Sequence, residues 1–197
     1  MTTNSELLIG SRHKEKERLL KLLMKYSFEK KYVILSSGKE SDFFIDCKQT
    51  ILLAEGHYLV GKIFFDTIVF NNFTASVVAG VELGGCPIAS AVAMESYERG
   101  CSLNALYVRK DVKNHGSKRV IEGILPKDGT VIVLLEDVVT TGTSSLKAVD
   151  KLVDNGYIVE GVIALVDRLK GGREAIEAKN LKFVSIFTKE DFISSIK

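Results

Sequence analysis

Two adjacent carboxylates, Glu136 and Asp137, stand between an aliphatic run (Val131 to Leu135) and the hydroxyl-rich segment Thr140-Thr141-Gly142-Thr143-Ser144. A helix-like stretch, Leu146 to Val153, follows. A Gly/Ser/Thr loop entering a helix offers a phosphate unpaired N–H groups, hydroxyls and the positive end of a dipole. The two acids before it suit the hydroxyls of a sugar or the surroundings of a metal. In an α/β sheet the ligand site lies at the carboxyl ends of parallel strands. The chemistry these residues describe is the holding of a phosphorylated sugar. A helix N-cap accounts for Thr143 or Ser144 alone, but not for the acid pair and the doubled threonine. No Walker lysine follows Gly142 and no GxGxxG occurs, which disfavours a nucleotide triphosphate or dinucleotide loop.

Three further segments carry chemistry. Ala79-Gly80-Val81-Glu82-Leu83-Gly84-Gly85-Cys86-Pro87 again leaves a strand and enters a helix, and its glycines allow close approach to a diphosphate; an ordinary turn is the competing reading. Arg109 to Arg119 holds five Lys or Arg residues and His115 against one acid. Such a loop repels itself when empty and orders around a polyanion. A solvated loop is the bland alternative, and an RNA-binding patch is weakened by the lack of aromatic residues for stacking. Asp167-Arg168 ends the run that begins at Ile158, and a guanidinium there presents a planar fork to a carboxylate.

Together these motifs resemble those of the type I phosphoribosyltransferases, which bind phosphoribosyl pyrophosphate (PRPP). Within that group the chain is similar to the orotate phosphoribosyltransferases over nearly its whole length. The segment 131–144 resembles the family signature, Arg-Lys-x-x-Lys-x-His-Gly from Arg109 matches the catalytic loop, and Ser36 to Asp46 matches the hood that covers the base. The resemblance implies that Glu136 and Asp137 hold the ribose hydroxyls, that Thr140, Thr141, Gly142, Thr143 and Ser144 cradle the 5′-phosphate, and that Val138 and Val139 also belong to the PRPP site. Gly84 and Gly85 lie against the pyrophosphate, which Arg109, Lys110, Lys113 and His115 contact, while Phe44, Ile45, Thr140 and Arg168 meet orotate. Lys113, Asp137 and His115 are the implied catalytic residues, with Lys113 expected to affect the rate most. The implied cofactor is Mg²⁺, held mainly by PRPP with no direct protein ligand. The implied assembly is a homodimer with shared active sites, in which much of the cationic loop comes from the neighbouring subunit.

The chain departs from the family pattern at three places. Gly84 stands where many members have a lysine, Ser36 where some do, with Lys39 a candidate substitute for the latter, and Ile45 stands where Phe is commoner. A non-proline cis peptide is implied near Val81-Glu82. The expected reaction is orotate plus PRPP to orotidine 5′-monophosphate plus diphosphate, in pyrimidine synthesis. Competing readings are a phosphoribosyltransferase for a purine or uracil, and a PRPP-sensing regulator without turnover. Such regulators carry an extra DNA-binding domain, for which this chain has no spare residues.

The elements that must position these residues follow from hydropathy. A helix capped by Asn4 or Ser5 is predicted to about Tyr26, and two short strands, Val33–Leu35 and Phe43–Asp46, flank the turn Ser36–Lys39. Helices are predicted over 58–70, 87–97, 144–154 and 173–179, alternating with strands over 76–79, 103–108, 119–124, 131–135, 158–166 and 183–187. Alternating helices and strands predict an α/β fold with a mainly parallel central sheet flanked by helices, the type I phosphoribosyltransferase fold with an N-terminal hood. The 197 residues fit a single domain, with the hood at about 1–50 and the core at about 51–197. A net charge of +2 gives no global reason to expect nucleic acid or membrane as a partner. Three scattered cysteines without a CxxC spacing suggest inert thiols in a reducing cytoplasm. The polar start, Met1 to Glu6, is unlike a secretory leader, and no apolar run reaches spanning length.

Overall fold

The central strands are aliphatic without interruption because both faces of the sheet are covered. In the computed structural model, which describes residues 4–29, 33–34, 40–41, 43–110 and 119–195, Ile132, Val133, Leu134 and Leu135 are all fully buried. Val133 and Leu135 pack into one hydrophobic cluster with Leu19, Phe64 and Ile88. Ile132 and Leu134 pack into another with Ala148, Leu152 and Ile176. Alternate side chains therefore feed two cores, one on each face.

In chain order the elements are α1 (Asn4–Tyr26), β1 (Phe28–Glu29), β2 (Val33–Ile34), β3 (Glu40–Ser41), β4 (Phe44–Ile45), α2 (Lys48–Ile51), α3 (Ala54–Phe70), β5 (Val77–Val81), α4 (Gly85–Glu98), β6 (Asn104–Val108), β7 (Ile121–Glu122), β8 (Val131–Val139), α5 (Thr143–Asp154), β9 (Ile158–Asp167), α6 (Gly172–Glu177), β10 (Lys182–Thr188) and α7 (Lys189–Ser194). Six strands form the main sheet in the order β10-β9-β8-β5-β6-β7. All neighbours run parallel except β7, which pairs antiparallel with β6. From β5 the chain steps outward through α4 to β6. It then returns to the other side of β5 as β8 and steps outward the opposite way through α5 to β9. Helices leaving adjacent strands in opposite directions open a crevice at the strands' carboxyl ends.

Backbones meet closely beneath that crevice. A Cβ on Gly85 would run into the Leu135 carbonyl oxygen, and one on Gly80 into the carbonyl of Gly85. Only glycine lets the start of α4 settle between β5 and β8. No helix of the described residues is long and apolar enough to cross a membrane.

The expected alternation of helices and strands is present, with four local differences. Strand β8 continues through Glu136 and Asp137 to Val139, because β9 pairs with it as far as Val139↔Asp167. The two strands expected to flank one turn have different partners. Val33–Ile34 pairs with Glu40–Ser41, whereas Phe44–Ile45 pairs with Phe28–Glu29. The strand expected over 119–124 is only Ile121–Glu122, where β6 supplies a partner. Helices α2 and α7 were not expected; α7 carries a capping box between Thr188 and Asp191.

Phe43 fastens the N-terminal segment to the rest. It is 1% exposed, with its ring centroid 5.2 Å from Phe28 and 5.6 Å from Phe192. Phe43→Ala should cost about 3–5 kcal/mol of stability, the range for emptying a buried aromatic site; urea titration measures it, and a loss below 1 kcal/mol would show that the ring contacts are dispensable.

Candidate active site

The acid pair divides between the two faces of β8. Glu136 turns toward α5, is 5% exposed, and accepts a hydrogen bond from Ser145 Oγ at 3.2 Å. Burial, and then the nearby Asp137 charge, push the Glu136 carboxyl well above its ordinary value; the Lys110 ammonium opposes that shift. Asp137 lies on the α4 side, half-buried, and its Oδ1 accepts the N–H of Val138 at 2.9 Å. A Cβ on Gly84 would collide with Asp137 Oδ2. The carboxylate thus takes up room that a side chain at 84 would need, a physical reason why glycine suits this position.

Beyond Val138 and Val139, which finish the strand, Thr140 and Thr141 lead to Gly142 at φ +77° and then α5. Thr141 Oγ1 and Thr143 Oγ1 lie 3.0 Å apart. No side chain caps α5, so the donors of its first turn are not taken up by a side-chain cap. Thr143 and Ser144 line a cavity of about 360 Å³ together with Arg109, Lys110, Lys147 and Lys151. Helix α5 supplies hydroxyls, a helix start and the cations Lys147 and Lys151, and the end of β6 supplies Arg109 and Lys110.

The second glycine loop runs along the same edge. Glu82 N–H still donates to Val108 O at 2.9 Å, so the chain leaves the sheet only after Glu82. The non-proline cis peptide is Glu82-Leu83, one bond later than the expected Val81-Glu82. Gly84 faces Asp137, while Gly85 serves the close contact with Leu135. Arg109 is partly buried with Nη1 3.3 Å from Glu122 Oε1, and the N–H of the exposed Lys110 donates to Glu82 Oε2 at 2.9 Å. Lys113 and His115, like Ser36 and Lys39 of the hood motif, lie outside the described residues.

The expected base-binding residues converge from opposite ends of the sequence. Arg168 is 9% exposed and follows the end of β9. Its N–H donates to Val139 O at 2.9 Å, and its Nη2 donates to Phe43 O, 125 residues away in sequence, at 2.8 Å. Phe44 is partly buried, whereas Ile45 packs against the same hydrophobic cluster as Phe43. Strand alternation places Phe43 and Ile45 on one face and Phe44 on the other. Thr140, at the end of β8, is partly exposed. Arg168 thus bonds to the backbone at Phe43 and Val139, the residues preceding Phe44 and Thr140, and Ile45 is half-buried against the core.

Three contributors were missed in the sequence. Ser145 anchors Glu136. Lys48 pairs with Asp46 at 2.6 Å; the Asp46 hydrogen bond raises its ammonium pKa, and Asp137 adds to the effect. Lys151 bonds to main-chain oxygens at the crevice. Only Lys151 had a visible signal, since Thr143, Lys147 and Lys151 recur every four residues along one helix face. Burial raises the Cys86 thiol to about 11, in keeping with an inert role.

No family model matches the chain. It is 58% identical over 182 residues to a Sorangium cellulosum protein named orotate phosphoribosyltransferase, covering 91% of this chain and 93% of that one. A crystal structure of Mycobacterium tuberculosis orotate phosphoribosyltransferase with Fe(III) dicitrate superposes with a TM-score of 0.78 at 35% identity, covering 90% of this chain and 98% of the other. The same enzyme in complex with PRPP gives a TM-score of 0.75 at 32% identity with the same coverage.

The buried Glu136 has a pH signature. The unfolded chain releases its proton near the ordinary value of 4.5, whereas the folded chain retains it to higher pH. Stability therefore falls as pH rises through that interval and levels off above the folded pKa. Relative to Glu136→Gln, wild-type protein should lose thermal stability progressively from about pH 4.5 upward. A constant difference in melting temperature between pH 4 and pH 8 would mean that Glu136 ionises as an ordinary carboxyl.

Proposed function

The chain belongs to the orotate phosphoribosyltransferases, a family of pentosyltransferases, and from that membership we propose how its residues transfer the ribose 5-phosphate of PRPP to orotate, a step of pyrimidine synthesis. The observation that carries the reading is the cavity shared by the uncapped α5 start and the cations Arg109 and Lys110, with the acid pair on the strand that leads into that helix. Products are orotidine 5′-monophosphate and diphosphate.

In this reading the N–H groups and hydroxyls of 140–144 hold the 5′-phosphate. Asp137 accepts from a ribose hydroxyl. Glu136, kept toward its neutral form by burial, can donate as well as accept. Fixing the sugar at both ends leaves C1 as the atom free to move from diphosphate toward the base nitrogen. The C1–O bond breaks while positive charge grows on the ring, and the departing diphosphate gathers negative charge. Arg109, Lys110, Lys113 and His115 stabilise that charge where it develops. Orotate N1 ionises in solution, so the protein need supply no nucleophile. Lys113, His115 and Asp137 retain the catalytic roles the family likeness implies.

Mg²⁺ is a hard cation that, bound to the diphosphate, neutralises oxygens of the leaving group. The donor set suits an ion carried in on PRPP. Among the described residues no three His, Cys, Asp or Glu side chains converge as a cage, and Glu136 is disposed to stay protonated.

Arg168 would face the orotate carboxylate, with Phe44 and Thr140 beside the ring. Uracil lacks that carboxylate, so Arg168 would set the choice of base. A homodimer is the proposed assembly. An apolar groove lined by Leu52, Leu83, Pro87 and Tyr107 lies open beside the diphosphate loop and suits a second copy. Residues 1 to about 50 would serve as the hood of a single domain. Free thiols at Cys47, Cys86 and Cys101 fit a reducing compartment, and we place the protein in the cytoplasm.

Product formation from PRPP and a panel of bases, with and without Mg²⁺, tests the reading; orotate should be the base consumed, and consumption of uracil or a purine instead would replace it. Arg168→Ala should raise the orotate KM about tenfold or more, one lost charge-assisted pairing, with calorimetric PRPP affinity retained; an unchanged orotate KM would move the base pocket elsewhere. Lys113→Ala should slow turnover about a hundredfold or more with an unaltered melting temperature, and near-normal turnover would remove Lys113 from the chemistry.

A further inference from the structure

We propose that Lys151 is a positioning residue for phosphoribosyl transfer, latching the backbone of Arg109 and Lys110 to the helix that begins at the phosphate loop. Lys151 Nζ donates to Arg109 O at 2.7 Å and to Lys110 O at 2.6 Å. One ammonium thus holds two consecutive carbonyls at the end of β6. The same dipeptide is tied on its other sides. Arg109 N–H donates to Val120 O at 2.9 Å, and Lys110 N–H donates to Glu82 Oε2 at 2.9 Å.

These bonds join the surfaces on which the proposed reaction depends. Glu82 lies in the diphosphate loop, and α5 starts with Thr143 and Ser144. Lys151 lies two turns after Thr143 on the same helix face, and both line the cavity of about 360 Å³ that Arg109 and Lys110 close. Fixing both peptide units restricts where the Arg109 and Lys110 side chains can reach, and pre-placed cations stabilise developing charge without reorganising. An ammonium also adds positive potential to the wall facing the leaving group, which a neutral donor could not. Sequence distance hides the link, since the partners are more than 40 residues apart (42 and 41).

The proposal rests on the transferase reading, and its test separates the two. Lys151→Met, Lys151→Gln and Lys151→Arg are compared with wild type for PRPP and orotate kinetics, melting temperature and calorimetric affinity for diphosphate with Mg²⁺. Lys151→Met should lower kcat/KM for PRPP and weaken diphosphate binding by about tenfold or more, as expected for losing hydrogen bonds from a charged donor. The orotate KM should change less than about twofold and the melting temperature only modestly, since the side chain is half-buried at the cavity and outside both hydrophobic cores. Lys151→Arg should recover most of the loss, and Lys151→Gln less. Kinetics of Lys151→Met within twofold of wild type would overturn the latch, as would losses in all three variants that simply track melting temperature. If wild type binds diphosphate but makes no orotidine monophosphate, the transferase reading fails alone and the diphosphate affinities still decide the latch; if wild type binds no diphosphate, both fall.

Discussion

The Leu135 carbonyl oxygen leaves no room for a Cβ at Gly85, and the Gly85 carbonyl leaves none at Gly80. This triple backbone contact is the constraint on which the site depends. It seats the start of α4 against the two central strands where the chain reverses its direction of winding. A methyl group at either glycine would push the helix away from the sheet and carry Gly84 away from Asp137. The crevice is therefore set by main-chain packing at its floor, and the side chains that give it chemistry stand on a base that cannot shift without unpacking both cores.

On that floor the charges are sorted by depth. The negative groups differ in burial. Glu136 is enclosed and held by Ser145, and Asp137 reaches the crevice beside Gly84. The positive groups line the cavity from the end of β6 and along α5. Cations lining the cavity suit a strongly charged diphosphate, and a buried acid beside the loop suits the uncharged hydroxyls of a sugar.

Much of this arrangement was legible in the sequence because it rests on local composition. Unbroken aliphatic runs announced a sheet covered on both faces, and the Thr/Gly/Ser segment announced a strand-to-helix turn, which Gly142 makes with its positive φ. The legible part stops where partners matter. Nothing in Val33–Ile34 or Phe44–Ile45 indicates which neighbour each will pair with, so the expected two-strand unit became two separate pairs. Acidic residues argue against continuing a strand, yet β9 supplies hydrogen bonds that carry β8 past Glu136 and Asp137. The four-residue spacing of Thr143, Lys147 and Lys151 marks a helix face, but not that Lys151 will reach the carbonyls at the end of β6.

The aromatic contacts of Phe43 have a consequence for how the protein is made. Its neighbours are Phe28, synthesised just before it, and Phe192, in the last helix. During translation the N-terminal aromatics wait on the order of ten seconds for their final partner to leave the ribosome. Over that interval a greasy surface next to the nascent sheet stays uncovered, open to aggregation or chaperone capture until the helix bearing Phe192 is available to pack.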